Sequence, residues 1–187
     1  MRVVFASNNN DKLEEIRKIL SDFEILSLKD VDCDIDVEEE HDSFYLNALF
    51  KAKEIYDVVK IPVIADDSGI CVKELDMWPG VMTKRFYKGY DQERNLEIIK
   101  KVNEVFDRTA FFRCSLVYYD GNDIIEGKGV MNGKIVHVPR GEDGFGFDSI
   151  FELENGKTLA EISSDEKNKC SARYLASVDL RDKLLSK

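Results

Sequence analysis

Residues 3–20 read VVFASNNNDKLEEIRKIL, and this stretch decides the fold class. The apolar run from Val3 to Ala6 predicts a buried strand, and a polar loop follows from Ser7 to Asp11. After the loop, apolar residues recur at the spacing of an amphipathic helix, namely at Leu13, Ile16, Ile19 and Leu20. A strand followed by a loop and a helix is the first half of a βαβ unit, which favours a fold of the α/β class.

Further helices and strands are predicted along the rest of the chain. Helical spacing covers about 43–59 and 91–105, and a last helical region begins near Ser163, which forms a capping-box pattern with Glu166. Apolar runs predict strands at 24–28, 63–65, 110–119, 123–130 and 134–138, with turn signals at 120–122 and 132–133. Because strands alternate with helices early and follow one another late, we expect a mixed, twisted β-sheet flanked by helices, in a single domain covering residues 1–187.

The composition indicates a globular protein of ordinary size. The chain has 187 residues, of which 43% are hydrophobic and 34% charged, values that are typical of neither disordered nor membrane proteins. No apolar run approaches the roughly 20 residues needed to cross a bilayer. Polar residues also follow Phe5 too soon for a signal peptide. We therefore expect a cytoplasmic protein with no membrane partner.

The net charge of −10 disfavours general binding to DNA or RNA, so no nucleic-acid partner is expected. A small anionic ligand would then need a locally basic pocket. The four cysteines form no CxxC pair, and the chain has only two histidines. Neither a structural zinc site nor a disulfide framework is therefore expected.

The loop from Ser7 to Lys12 is a candidate anion site. It lies between a strand and the first turn of a helix, where unpaired backbone N–H groups and the helix dipole attract negative charge. Lys12 would add a full positive charge. The alternative is a well-capped helix that binds no ligand.

Asp66-Asp67-Ser68-Gly69 directly follows the short strand predicted at 63–65. Two adjacent acids at the carboxyl end of a strand lie where α/β proteins usually bind ligands, and a hard cation such as Mg²⁺ would supply the missing counter-charge. The alternative is an ordinary Asp turn ended by Gly69. Glu38, Glu39 and Glu40 precede a helix and could add a metal ligand, although such a run is commonly a solvated face.

Two later segments could contact a nucleotide. Residues 139–148 combine three glycines with Phe145, Phe147 and Asp148, so that the rings could stack on a purine and the acid could accept hydrogen bonds from it. Lys167 and the trio Ser171-Ala172-Arg173 bring positive charge and a hydroxyl that could hold a base carbonyl or phosphates. A loop pinned by core phenylalanines and a helix with exposed charges are the alternatives.

Taken together and in this order, the motifs resemble the inosine triphosphate pyrophosphatase family, also described as non-canonical purine NTP pyrophosphatases. The resemblance extends from Val3 to about Leu180. The matching segments are Phe5-Ala6-Ser7-Asn8-Asn9 with Lys12, Ala65 to Gly69, Pro79-Gly80-Val81, Arg85-Phe86, Pro139-Arg140-Gly141, Gly144 to Asp148, Ala160-Glu161 and Glu166-Lys167.

The resemblance implies a function and a site. The family hydrolyses purine nucleoside triphosphates such as ITP, dITP and XTP to a monophosphate and pyrophosphate, with Mg²⁺, and its members are usually homodimers with two lobes around a central cleft in an elongated α/β fold. It places Asp67 as the catalytic acid and, with Glu39, as a metal ligand. The triphosphate-binding residues would be Ser7, Asn9, Lys12 and Arg173. The base-binding residues would be Ser68, Phe145, Phe147, Asp148, Lys167 and Ser171.

One departure bears on substrate choice. The family typically has histidine between the last Ser and Arg, where this chain has Ala172. Because alanine offers no side-chain hydrogen bond, the base preference could be altered. A second alternative is a nucleotide-binding sensor with little catalysis, although a mere binder has less need of both Glu39 and Asp67.

Overall fold

The computed structural model of the chain describes residues 1–186. Its strands are β1 (Arg2–Phe5), β2 (Glu24–Leu26), β3 (Val63–Val72), β4 (Thr109–Tyr119), β5 (Ile124–Ile135) and β6 (Phe151–Glu152). Its α-helices are α1 (Asn10–Ile19), α2 (Phe44–Val59), α3 (Asp91–Val102), α4 (Ser164–Lys167) and α5 (Ala172–Leu185). None of the helices within residues 1–186 has the length and apolarity required to cross a membrane.

The six strands form one sheet in the order β2-β1-β3-β4-β5-β6. Strand β1 is parallel to β2 and to β3, whereas β5 is antiparallel to β6. The register of the β1–β3 pair matches Val4 with Val63 and Phe5 with Ile64. The prediction of a mixed sheet flanked by helices is therefore confirmed.

The chain folds into two compact units, each assembled from separate segments. Unit 1 contains residues 1–68, residues 114–129 and the described chain from Ala172 onward, and unit 2 contains residues 69–113 and 130–171. Strands β3, β4 and β5 each contribute residues to both units. That residues 1–187 form a single domain stays a prediction.

Helix α2 covers the core of unit 1. Its apolar face includes Ala48, Ala52 and Ile55, which pack with Val4 of β1 and Val63 of β3 in one buried cluster. Burial of apolar surface stabilises this layer by roughly 25 cal/mol per Å² removed from water. The helix begins where the sequence predicts it, because the Ser43 hydroxyl accepts a hydrogen bond from the backbone N–H of Leu46.

Strand β3 is longer than predicted. The predicted end of the strand at Ala65 and the alternative of an Asp turn ended by Gly69 are both wrong, because the strand continues through these residues to Val72. Gly69 does not end the strand but allows a close approach: a Cβ there would lie 2.3 Å from Thr83 Oγ1. The acids at 66 and 67 nonetheless lie beyond the last β1 residue, since the β1–β3 register ends at Ile64.

Strand β5 also runs through a predicted turn. Asn132-Gly133 lies inside the strand, so the prediction of two strands at 123–130 and 134–138 is wrong. Gly133 is required there by packing, because a Cβ would lie 2.4 Å from the carbonyl oxygen of Glu152 on the neighbouring strand β6. A glycine that admits a close neighbour and a glycine that forms a turn cannot be distinguished by local sequence.

Candidate active-site residues

The β1–α1 loop brings the predicted phosphate-binding residues of unit 1 together. Asn9 caps α1, because its side-chain oxygen accepts a hydrogen bond from the backbone N–H of Lys12 at 3.2 Å. The Ser7 hydroxyl accepts one from the backbone N–H of Asn9 at 3.2 Å. The loop therefore presents Ser7, Asn9 and Lys12 at the N-terminus of a helix, where backbone dipoles favour an anion.

Asp66 is the counter-ion of the two predicted phosphate-binding cations. Its Oδ2 accepts a hydrogen bond from Lys12 Nζ at 2.7 Å and another from Arg173 Nη2 at 3.3 Å. Its backbone carbonyl accepts a third from Lys51 Nζ at 2.9 Å. The Asp66 side chain is completely buried, so these cations replace the solvation that burial removes.

The cations also fix the ionisation of Asp66. Burial by itself would raise the pKa of this carboxyl, but the positive charges of Lys12, Arg173 and Lys51 hold the pKa well below its usual range. Asp66 Oδ1 has no hydrogen-bond partner among the described residues. Asp66 is therefore a permanent carboxylate that stabilises Lys12 and Arg173 in their observed positions.

Asp67 has different surroundings from those of its neighbour. Its Oδ2 accepts a hydrogen bond from Asn47 Nδ2 at 2.8 Å, and its Oδ1 accepts one from the backbone N–H of Ser68 at 2.9 Å. Burial and the negative charge of Glu39 together raise the pKa of Asp67 to about 6, against the opposing effects of Asn47 and Lys51. An acid with a pKa near neutrality in a polar cluster is the kind of group that enzymes use for proton transfer.

Glu39 differs from the two glutamates beside it. Glu38 and Glu40 are exposed, as the solvated-face alternative expects, but Glu39 is half-buried. Its Oε1 accepts a hydrogen bond from Lys51 Nζ. The position of Glu39 near Asp67 is evident from its effect on the pKa of that acid.

The residues present fit a magnesium ion. The carboxylates of Glu39 and Asp67 repel each other, and this repulsion helps to raise the pKa of Asp67 to about 6. A divalent cation between them would stabilise both negative charges. No group of three or more acidic, histidine or cysteine side chains suited to a metal occurs within residues 1–186. Magnesium does not need such a group, since it usually takes one or two carboxylates and completes its shell with water and substrate phosphates.

Unit 2 contains most of the predicted base-binding residues. Asp148 Oδ2 accepts hydrogen bonds from Lys167 Nζ at 2.7 Å and from the backbone N–H of Phe145 at 2.9 Å. The Lys167 ammonium also lies 4.0 Å from the centroid of the Phe145 ring, a cation–π contact. The loop 141–148 and α4 are thus tied together by one buried charge pair.

The other two predicted base-binding residues of unit 2 are buried. Phe147 immediately precedes a turn of 3₁₀-helix at Asp148–Ile150. The backbone N–H of Ser171 donates to the carbonyl of Lys167 at 2.9 Å, which extends the turn that ends α4. Ser68, the remaining predicted base-binding residue, lies in unit 1, where its hydroxyl is 3.5 Å from Arg173 Nη2. Their contact with a base stays a prediction.

The sequence interpretation missed three residues of the ionic cluster in unit 1. They are buried polar residues on otherwise apolar helix faces: Glu15, Asn47 and Lys51. Their spacing could have identified them, because polar residues that share the buried face of an amphipathic helix need polar partners. Asn47 and Lys51 are four residues apart on the buried face of α2. Glu15 likewise follows Lys12 by three residues on the buried face of α1.

The chain matches curated relatives over nearly its whole length. The dITP/XTP pyrophosphatase of Treponema denticola is 37% identical over 180 residues, covering 92% of this chain and 93% of the relative. The dITP/XTP pyrophosphatase of Aquifex aeolicus is 36% identical over 185 residues, covering 92% and 91%.

Solved structures agree with the fold. A HAM1 protein from Coxiella burnetii superposes with a TM-score of 0.92 at 30% identity and covers 100% of both chains. A nucleoside-triphosphatase, or dITP/XTP pyrophosphatase, from Mycobacterium abscessus gives a TM-score of 0.77 at 32% identity over 95% of this chain and 98% of that one. The model of the Ham1 family matches residues 3–183. The resemblance drawn from the motifs is thus confirmed, and the chain belongs to the Ham1 family.

Proposed function

We propose that this protein hydrolyses nonstandard purine nucleoside triphosphates, such as dITP, ITP and XTP, to the nucleoside monophosphate and pyrophosphate. The relatives named dITP/XTP pyrophosphatase support the substrate class. The structural observation that carries the proposal is the ionic cluster in which Lys12 and Arg173 share Asp66 while Asp67, the next residue, has a pKa of about 6. Cations for phosphate and an acid suited to proton transfer are thus adjacent in unit 1.

The charge balance of this cluster supports a cation requirement. The cluster contains one more acid than base, its members being Lys12, Lys51, Arg173, Glu15, Glu39, Asp66 and Asp67. A triphosphate brings several negative charges of its own. Without an added cation, the substrate would therefore enter a cluster that offers no excess positive charge.

Magnesium is the proposed cation, and Glu39 and Asp67 would hold it. When bound, Mg²⁺ supplies positive charge to the phosphate oxygens and helps an attacking water to ionise. Lys12, the loop amides after Ser7 and Arg173 would hold the polyphosphate. Attack of water on the α-phosphorus would form one P–O bond and break the bond to the leaving pyrophosphate, with Asp67 positioned to take the proton of the water.

Thermal unfolding provides a check of the metal site that does not depend on turnover. We expect millimolar MgCl₂ to raise the melting temperature of the wild-type protein and EDTA to reverse the rise, because an ion that binds only the folded state stabilises it. In Glu39→Gln the increase should be lost or much smaller. Glu38→Gln is the matched control, since Glu38 is exposed beside Glu39. Equal increases in both variants would exclude Glu39 as a metal ligand.

Pyrophosphate release from a panel of triphosphates is the direct test of the function. The panel contains inosine, xanthosine, guanosine, adenosine and pyrimidine triphosphates with MgCl₂, and we expect the inosine and xanthosine compounds to be cleaved fastest. Release from none would favour a nucleotide-binding sensor. Comparable cleavage of guanosine or adenosine triphosphate would support an altered base preference at Ala172, and a pyrimidine preference would contradict the proposed substrate class.

Lys12→Ala tests whether Lys12 binds the phosphates of the substrate. Loss of a charged hydrogen-bond donor should raise KM for the triphosphate by about tenfold or more, because such bonds contribute about 1.5–3 kcal/mol. Lys18→Ala is the control, since Lys18 is an exposed lysine on the same helix. Steady-state kinetics of both variants decide the matter, and an unchanged KM in Lys12→Ala would remove Lys12 from substrate binding.

We also propose that the enzyme acts as a homodimer in the cytosol. The family resemblance supports the homodimer, and the globular composition, without an apolar run long enough to cross a bilayer, supports the cytosolic location. Sedimentation equilibrium of the purified protein should then give twice the chain mass of 21.5 kDa, whereas a mass of 21.5 kDa at micromolar concentration would contradict the dimer.

A further inference from the structure

Glu15 and Asp66 hold the guanidinium of Arg173 at two different terminal nitrogens. Arg173 Nη1 donates to Glu15 Oε2, while its Nη2 donates to Asp66 Oδ2 at 3.3 Å. The side chains of Glu15 and Arg173 are about nine-tenths buried, with relative exposures of 10% and 8%. The pair joins α1 to α5 across 158 residues of sequence.

Contacts at both terminal nitrogens fix the plane of the guanidinium. This group is flat and rigid, so that holding Nη1 and Nη2 in two directions leaves it little freedom to rotate. Glu15 also lies on α1 three residues after Lys12, which places both side chains on the same buried face. One helix therefore supplies the cation Lys12 and the acid that orients the cation Arg173.

We propose that Glu15 is a positioning residue that orients Arg173 for the phosphates of the substrate. The inference rests on the proposed function, since it assumes that Arg173 binds the polyphosphate. Glu15 itself touches no substrate in this scheme. Its effect is exerted through the direction of the Arg173 N–H groups, which must point at phosphate oxygens to donate well.

Two substitutions of Glu15 distinguish an effect on the orientation of the Arg173 guanidinium from an effect of negative charge alone. Glu15→Asp keeps the negative charge but shortens the side chain by one methylene, so that its carboxylate no longer reaches Arg173 Nη1 in the same geometry. Glu15→Gln keeps the length and an acceptor oxygen but removes the charge. If Glu15 acts by orientation, the aspartate variant should be the more impaired, and if it acts only by charge, the glutamine variant should be.

The primary measurement is the binding of inorganic triphosphate in the presence of MgCl₂ by calorimetry. We expect Glu15→Asp to weaken binding about tenfold, the equivalent of one charged hydrogen bond, and Glu15→Gln to weaken it about threefold or less. For the hydrolysis reaction, Glu15→Asp should raise KM by a similar factor and leave kcat within about twofold. Glu14→Asp is the matched control, because Glu14 is exposed on the same helix and bears the same cost in helix propensity.

A double-mutant cycle tests whether the effect passes through Arg173. On an Arg173→Ala background, Glu15→Asp should change triphosphate binding by less than about twofold, since there is no guanidinium left to orient. The proposal is overturned if Glu15→Asp binds triphosphate as Glu14→Asp does, if its effect persists undiminished without Arg173, or if only Glu15→Gln is impaired. The calorimetry does not require turnover, so a wild-type protein that releases no pyrophosphate would refute the proposed function and still allow the role of Glu15 to be decided.

Discussion

Replacing Asp67 with Asn is expected to reduce kcat by at least about 100-fold, the usual effect of removing a group that transfers a proton in the transition state. The amide of asparagine can neither accept the proton of the attacking water nor bring negative charge to a metal ion. Turnover of inosine triphosphate by the purified variant is the measurement. Turnover within a few-fold of the wild-type value would show that Asp67 has no part in the chemistry.

The Asp67→Asn variant should remain folded. Asp67 is only 3% exposed, and burial raises its pKa to about 6, so the ionised form is disfavoured in the folded protein. A neutral amide avoids that cost, although its single acceptor oxygen can keep only one of the two hydrogen bonds that Asp67 accepts, from Asn47 Nδ2 and from the Ser68 N–H. Circular dichroism and the melting temperature without metal serve as controls, and a variant that is unfolded in them could not be used to assign the loss of turnover.

Asp66→Asn is expected to reduce the stability of the folded protein strongly, unlike Asp67→Asn, which should mainly reduce turnover. The substitution leaves Lys12 and Arg173 buried without the carboxylate that both contact. Removing one partner of a buried ion pair typically costs about 3–5 kcal/mol in the free energy of unfolding. Urea denaturation at constant pH and salt measures that free energy.

The matched control is Asp57→Asn in the exposed pair that Asp57 forms with Lys60. These side chains are 72% and 64% exposed, so breaking their contact should cost less than about 1 kcal/mol. A similar, small loss in both variants would mean that Asp66 is not an important counter-ion. Together, the two substitutions at 66 and 67 should separate stability from catalysis in adjacent residues.

The contrast between Asp66 and Asp67 also shows a limit of the motif. Sequence alone identifies a pair of adjacent acids after an apolar run and predicts a ligand site there. In a β-strand, successive side chains point to opposite faces, so neighbours can meet entirely different surroundings. The structure surrounds the first acid with cations and leaves the second with an amide, a backbone N–H group and another acid.

The same limit explains why the predicted turn at 132–133 and the alternative of a turn at 66–69 are both wrong. At Gly69 and Gly133, glycine next to a polar residue looks like a turn within a window of a few residues. In both cases the strand continues, and glycine is needed because Thr83 or Glu152 approaches the backbone from a distant part of the chain. A window of a few residues around the glycine does not contain the residue that will pack against it.

By itself, the sequence determined the α/β class, the capped helix after β1, the helix from 44 to 59 and the polar loop between β1 and α1, whose anion binding stays a prediction. These features depend on hydrophobic periodicity and on caps, which act over a few residues and are therefore visible locally. Only the tertiary structure decided the charge pairing. Lys12 meets Asp66 across 54 residues, and Arg173 meets Asp66 and Glu15 across 107 and 158. Because an ionic cluster depends on distance in space and on burial, its membership follows from the folded chain and not from residue spacing.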